Sequence, residues 1–159
     1  MNKISELKHC HLLRREIMNF IFVFSLFAIL IINAAPFQLN KRSTIFDKCS
    51  EFFDFVNATM NPDPLISEQN AEFHVFGTLT NHNITEGQTI LHIRLATNPG
   101  DNLIVHNQNF TESILAHKSF SINATAIPVP KLPSNGYFIV ITIIDPGDDE
   151  VYACTFASF

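Results

Sequence analysis

Downstream of residue 42, five histidines (His74, His82, His92, His106, His117), two cysteines, one acidic run and four N-x-[ST] sequons carry the side chains with chemistry beyond packing. A structural zinc site holds its ligands at short, fixed spacings. The histidines are scattered and find no cysteine or acid partner at such a spacing, so no metal is assigned. Asp145–Glu150 is as acidic as a calcium loop, but it lacks the alternating ligand order and the distal glutamate of one. It reads as a hairpin turn. No G-x-S-x-G elbow, H-E-x-x-H helix, P-loop or G-x-G-x-x-G turn occurs. A Ser-His-Asp set gathered from distant residues is the one catalytic arrangement the sequence leaves open. No catalytic residue and no cofactor are assigned.

The cysteines and sequons speak to compartment instead. With Cys10 in the leader, Cys49 and Cys154 remain, and an even count in an exported chain suggests a disulfide. Closing a loop of about a hundred residues contributes about 4.7 kcal/mol by chain entropy. The sequons are Asn57-Ala-Thr, Asn83-Ile-Thr, Asn109-Phe-Thr and Asn123-Ala-Thr, each a candidate N-glycosylation site.

The leader agrees. Phe20 to Ile32 is apolar apart from Ser25, preceded by basic residues and followed by Asn33-Ala34-Ala35. Thirteen helical residues rise about 20 Å, short of a bilayer core of roughly 30 Å. Residues 1–35 are therefore read as a signal peptide rather than an anchor, with Met18 as an alternative start and a cut after Ala34 or Ala35. Residues 36–45 form a short propeptide or flexible N-terminus, in which Lys41-Arg42 is either a dibasic processing site or an exposed basic pair. The secretory pathway is the expected location, ending outside the cell or in a vacuolar or lysosomal lumen.

Charge narrows the partners. The 159 residues carry 10 basic and 15 acidic side chains, a net charge of −5. From Ser43 onward only Lys48, Arg94, Lys118 and Lys131 are basic, against thirteen acidic residues. Such a surface repels phosphate backbones, so nucleic acid is excluded as a partner.

The elements that would position these groups are strands. Ala71–Thr80 places Phe73, Val75, Gly77 and Leu79 on one face, and Gln88–Thr97 does the same with Leu91, Ile93 and Leu95. Phe52–Val56 opens a strand that stops at Asn61-Pro62-Asp63-Pro64. Phe120–Val129 and Val151–Phe156 are further strands. Tyr137–Ile144 is apolar throughout and β-branched, as expected of a strand buried on both faces. Leu103–Leu115 is weakly patterned and is read as loop with short strands. About seven strands without a helix predict an antiparallel β-sandwich. Eleven phenylalanines in this region allow two readings: a phenylalanine-rich packed core, or sheets that splay apart to line a ligand cavity.

The landmarks in order are Cys49, a strand, Asn61-Pro62-Asp63-Pro64, Phe76-Gly-Thr-Leu79, Ile84-Thr-Glu-Gly87 and Phe120-Ser-Ile122. Then follow Val129-Pro-Lys-Leu-Pro-Ser134, Tyr137–Ile144, an acidic turn and Cys154. Over residues 46–157 this set resembles the ML (MD-2-related lipid-recognition) family. The likeness is to its fungal phosphatidylglycerol/phosphatidylinositol transfer proteins and their sterol-carrying Niemann–Pick C2 relatives. Two departures are visible: family members often have additional disulfides, and residues 98–119 match no family pattern.

The resemblance implies an immunoglobulin-like sandwich with an apolar cavity between its sheets, no enzymatic activity, and a phospholipid or sterol ligand moved between membranes by a monomer in transient contact with them. The pocket candidates are Phe73, Val75, Leu91, Ile93, Leu95, Phe120, Ile122, Tyr137, Ile139, Ile141 and Ile143, with Phe138 and Val140 replacing their neighbours if strand parity is reversed. Arg94, Lys118 and Lys131 are either partners for an anionic phosphate or ordinary solvated charges. A non-enzymatic interaction module for a receptor or cell-wall partner is the alternative.

Overall fold

The computed structural model describes residues 43–97, 101–148 and 150–159. The expected signal peptide, the start at Met18, the cut after Ala34 or Ala35 and the Lys41-Arg42 pair lie outside the described residues. Within them there are eight strands and no helix: β1 (Asp47–Lys48), β2 (Val56–Asn61), β3 (Asn70–Thr78), β4 (Ile90–Ala96), β5 (Asn102–Asn109), β6 (Ser119–Pro128), β7 (Phe138–Asp145) and β8 (Glu150–Ser158). They form two antiparallel sheets, β1-β8-β7-β4-β5 and β2-β3-β6. The expected β-sandwich is the fold.

Alternation explains most of it. β2 turns Val56, Ala58 and Met60 inward, β3 turns Ala71, Phe73 and Val75, and β4 turns Leu91, Ile93 and Leu95. β2 stops where Pro62 and Pro64 follow, because proline offers no ladder N–H. Fully burying each Val, Leu, Ile or Phe stabilises the fold by about 1.5–3 kcal/mol. Asp145–Glu150 is the hairpin turn that joins β7 to β8, and Asp145 and Glu150 are its last cross-strand pair.

Three details depart from the expected pattern. β7 is central in its sheet, with Ile139, Ile141 and Ile143 wholly buried, yet Phe138, Val140, Thr142 and Ile144 are only half-buried. No third layer covers that outer face among the described residues, so neighbouring side chains shield it only in part. In β6 the register slips by one residue between the pairs Phe73↔Ala124 and Ala71↔Ile127. Ala126 takes up the extra residue at φ 56°, a left-handed conformation that disfavours Cβ. The bulge switches parity, so Phe120, Ile122 and Ala124 face inward before it and Ile127 after it. Finally, the unpatterned Leu103–Leu115 region holds all but the first residue of an eight-residue strand, β5, which pairs with β4 apart from a register shift at Leu103.

The crossing from β1 to β2 ties the sheets together. Cys49 is bonded to Cys154 of β8, with their Cα atoms 5.6 Å apart. Asp54 then pairs with β8: its N–H donates to Tyr152 O at 3.1 Å, and its carbonyl accepts from Cys154 N at 3.0 Å. The Asp54 carboxylate accepts from both the N–H and the hydroxyl of Thr80, just past β3, each at 2.7 Å. One residue thus grips both sheets.

Candidate functional site

Ten of the eleven expected wall residues are buried in one apolar cluster between the sheets, and the eleventh, Ile122, is half-buried against it. Val75, Leu91, Ile93, Leu95, Ile139, Ile141 and Ile143 have no accessible surface, and Phe73 has 1%. A void large enough for water would leave its lining side chains measurable surface. The expected cavity is therefore closed along these eight residues, because β-branched and leucine side chains from the facing sheets fill the space between them. Tyr137 lies before β7 and caps one end, its ring stacked on Phe159 at 4.6 Å. Burial, and secondarily the Asp63 charge, raises the Tyr137 phenol above its ordinary pKa.

At one long edge of the sandwich stand β5 of the wide sheet and β6 of the narrow one, edge strands that are not paired with each other. Register identifies the inward residues of β5. Ile104, His106 and Gln108 oppose Leu95, Ile93 and Leu91. On β6, Ile122 and Ala124 oppose Val75 and Phe73. Near the β5–β6 connection the seam is shut by an edge-to-face contact of Phe110 and Phe120, centroids 5.8 Å apart. Next comes a strap, in which Gln108 Nε2 donates to the Asn123 carbonyl at 2.9 Å. Among the described residues it is the one side-chain hydrogen bond between these two strands. Beyond it lie His106 and Ile104. The Nε2 of His106 is buried and without a hydrogen-bond partner among the described residues. A buried polar atom left this way costs about 1–3 kcal/mol.

Sequence reasoning missed Ile104, His106 and Gln108 because polar side chains take two of the three inward positions. None of the basic candidates enters the seam. Arg94 is on the outer face of β4, opposite Val105 and Val140. Lys118 and Lys131 are exposed in connections, and Lys48 pairs with Glu51 at 2.9 Å on the surface. They are solvated charges.

Two other polar clusters have the makings of chemistry. His74 Nε2 lies 3.0 Å from Ser121 Oγ on the exposed face of the narrow sheet. This is a base beside a hydroxyl, but no carboxylate hydrogen-bonds the other ring nitrogen among the described residues. A nucleophile–base pair needs such an orienting group. At the β7–β8 turn the buried Asp145 carboxylate accepts from Gln88 Nε2 at 2.7 Å, Gly147 N at 2.8 Å and Tyr152 OH at 3.2 Å. Burial first, and then the hydrogen bond to Asp145, push the Tyr152 phenol up to about 12. His82 stacks on Tyr152 at 4.1 Å. Asp145 is committed to holding the turn. The four sequon asparagines are all exposed, Asn57 on β2, Asn83 in the β3–β4 connection, Asn109 at the end of β5 and Asn123 on β6.

No family model matches the chain, and no curated protein matches it. Among solved structures the chain is similar to chicken MD-1 complexed with lipid IVa, at 12% identity and a TM-score of 0.44, over 71% of this chain and 86% of that one. It is also similar to a Bacteroides uniformis β-glucuronidase 2, at 16% identity and a TM-score of 0.43, over 65% of this chain and 13% of that one. A third likeness is to a glycosyl hydrolase family 2 member from Bacteroides cellulosilyticus, at 18% identity and a TM-score of 0.41, over 77% of this chain and 18% of that one. The chain spans less than a fifth of either hydrolase. Likenesses this distant assign no family.

Proposed function

We propose that the protein is a non-enzymatic, secretory-pathway lipid carrier that takes hydrocarbon between its sheets through the β5–β6 seam. The observation that carries this reading is a continuous apolar path. Half-buried Ile104 and Ile122 sit in register with Leu95 and Val75, which belong to an interior without an accessible polar group along β3, β4 and β7. Each methylene moved from water into such an interior gains about 0.8 kcal/mol, so a lipid exchanges freely between it and a bilayer but not with water. Because the interior is closed, entry requires the sheets to part at the seam, and the lipid replaces contacts that they make with each other. The ligand is a phospholipid or sterol, its polar end left at the seam beside His106. The sequence landmarks shared with the ML family support the same reading, and the Cys49–Cys154 disulfide supports an oxidising compartment.

Mass spectrometry of organic extracts from the purified secreted chain tests the proposal. Stoichiometric lipid is expected. One observation favours a second reading: the closed interior, together with Phe52 at 94% and Leu115 at 68% exposure, suits a packed module that docks on another protein. Lipid-free protein that also fails to accept fluorescent lipid from vesicles would leave that reading alone.

A further inference from the structure

The outer face of the β2-β3-β6 sheet is polar except at its centre, where Phe76 stands 37% exposed and stacked on His74, ring centroids 5.1 Å apart. Register places a sequon asparagine opposite each ring. Phe76 pairs across the strands with Asn57 on one side and Ser121 on the other, and His74 pairs with Thr59 and Asn123. In both sequons the middle residue is a buried alanine, Ala58 or Ala124, so the asparagine and its threonine point outward together.

We propose that Asn57 and Asn123 carry N-linked glycans and that Phe76 and His74 form the platform on which the innermost N-acetylglucosamine of each packs. Neither side-chain amide makes a hydrogen bond among the described residues. Asn83 and Asn109, by contrast, are used locally: Asn83 Oδ1 accepts from Ala116 N at 2.8 Å, and Asn109 Nδ2 donates to Gly87 O at 3.2 Å. The His74 ring is held in place by Ser121 Oγ at 3.0 Å. A pyranose presents one face of C–H groups, which suits the electron-rich face of an aromatic ring, and a rim of hydroxyls. Beside Asn123 a depression of about 260 Å³, bordered by Thr59, Asn61, Glu72, His74 and Thr125, offers that rim polar partners. Attachment forms a bond from the asparagine Nδ2 to the anomeric carbon. It breaks that carbon's bond to the pyrophosphate of the lipid-linked donor and releases one amide proton. An exposed phenylalanine on a polar sheet thereby gains a partner.

The test uses the full chain secreted from a eukaryotic host. Peptide mass mapping is expected to show Asn57 and Asn123 occupied. After trimming each glycan to one sugar, the melting temperature is expected to exceed that of the Asn57→Gln, Asn123→Gln double variant by about 2–4 °C. Phe76→Ala is expected to remove most of that gain. In the parent protein, NMR is expected to show the sugar C–H protons shifted upfield by the ring. An empty Asn57 or Asn123, an equal gain in the Phe76→Ala background, or unshifted sugar protons overturns the proposal. None of these measurements involves lipid, so their outcome is separate from that of the carrier reading.

Discussion

Replacing Gln108 by methionine keeps the shape of the strap and removes its donor. The hydrogen bond from Gln108 Nε2 to the Asn123 carbonyl is the one side-chain link between β5 and β6 among the described residues. A neutral hydrogen bond of this kind contributes about 1 kcal/mol net. If lipid enters by parting these strands, removing the bond shifts the opening equilibrium by that amount, and 1 kcal/mol corresponds to a factor of about 5. Transfer of a fluorescent phospholipid or sterol between vesicles is therefore expected to speed up about fivefold in Gln108→Met, while unfolding free energy in urea falls by about 1 kcal/mol or less. Gln108→Glu, which places a carboxylate against a carbonyl, should go at least as far. A folded Gln108→Met protein with transfer unchanged or slower would refute entry at this seam, because the seam would then not control access.

Four further outcomes follow from the same geometry. His106→Leu replaces an orphaned buried nitrogen with an apolar group; it is expected to raise unfolding free energy by about 1 kcal/mol in urea while loosening retention of a lipid's polar end in a vesicle competition assay. Ile141→Ala opens a hole where Ile141 lies between Ile93 and Thr155, with a loss of about 2–5 kcal/mol expected by chemical denaturation. Reduction of Cys49–Cys154 frees a long loop in the unfolded chain and is expected to cost about 2–5 kcal/mol, read from urea curves with and without reductant. The two tyrosines of the chain are both raised, Tyr152 to about 12, so the stability they lend is present below pH 10 and is lost as pH climbs through the folded-state values. Ultraviolet titration should show both phenols ionising above the ordinary tyrosine range in the folded protein, and Tyr152→Phe should remove the transition near pH 12.

What the sequence made legible follows from how burial is written into it. β3 and β4 have one face against the core and one toward water, so alternation gave their inward residues correctly, and Ile139, Ile141 and Ile143 of β7 follow the same parity. The double-proline stop of β2 was equally plain. β5 was not, since its outward Val105 and its inward His106 and Gln108 invert the usual rule, and the register shift at Leu103, which packs on the core, breaks the alternation. That inversion is a property of an edge that faces a seam rather than a filled core, which is why the most informative part of the site carried the weakest pattern. The bulge at Ala126 was hidden for another reason. A left-handed alanine leaves no mark in composition, and the parity change after it shows only once Ala71 is seen opposite Ile127. Whether an apolar inner face is filled or hollow depends on sheet spacing, which no pattern of residue types encodes.

Asp54 gives the molecule a stitched spine, and along the opposite long edge β5 and β6 share, among the described residues, a single side-chain hydrogen bond beside the Phe110–Phe120 contact. A book bound in this way opens along one margin. Amides of β5 and β6 should then exchange with solvent well before those of β2 and β8, and any guest would leave by the margin through which it came.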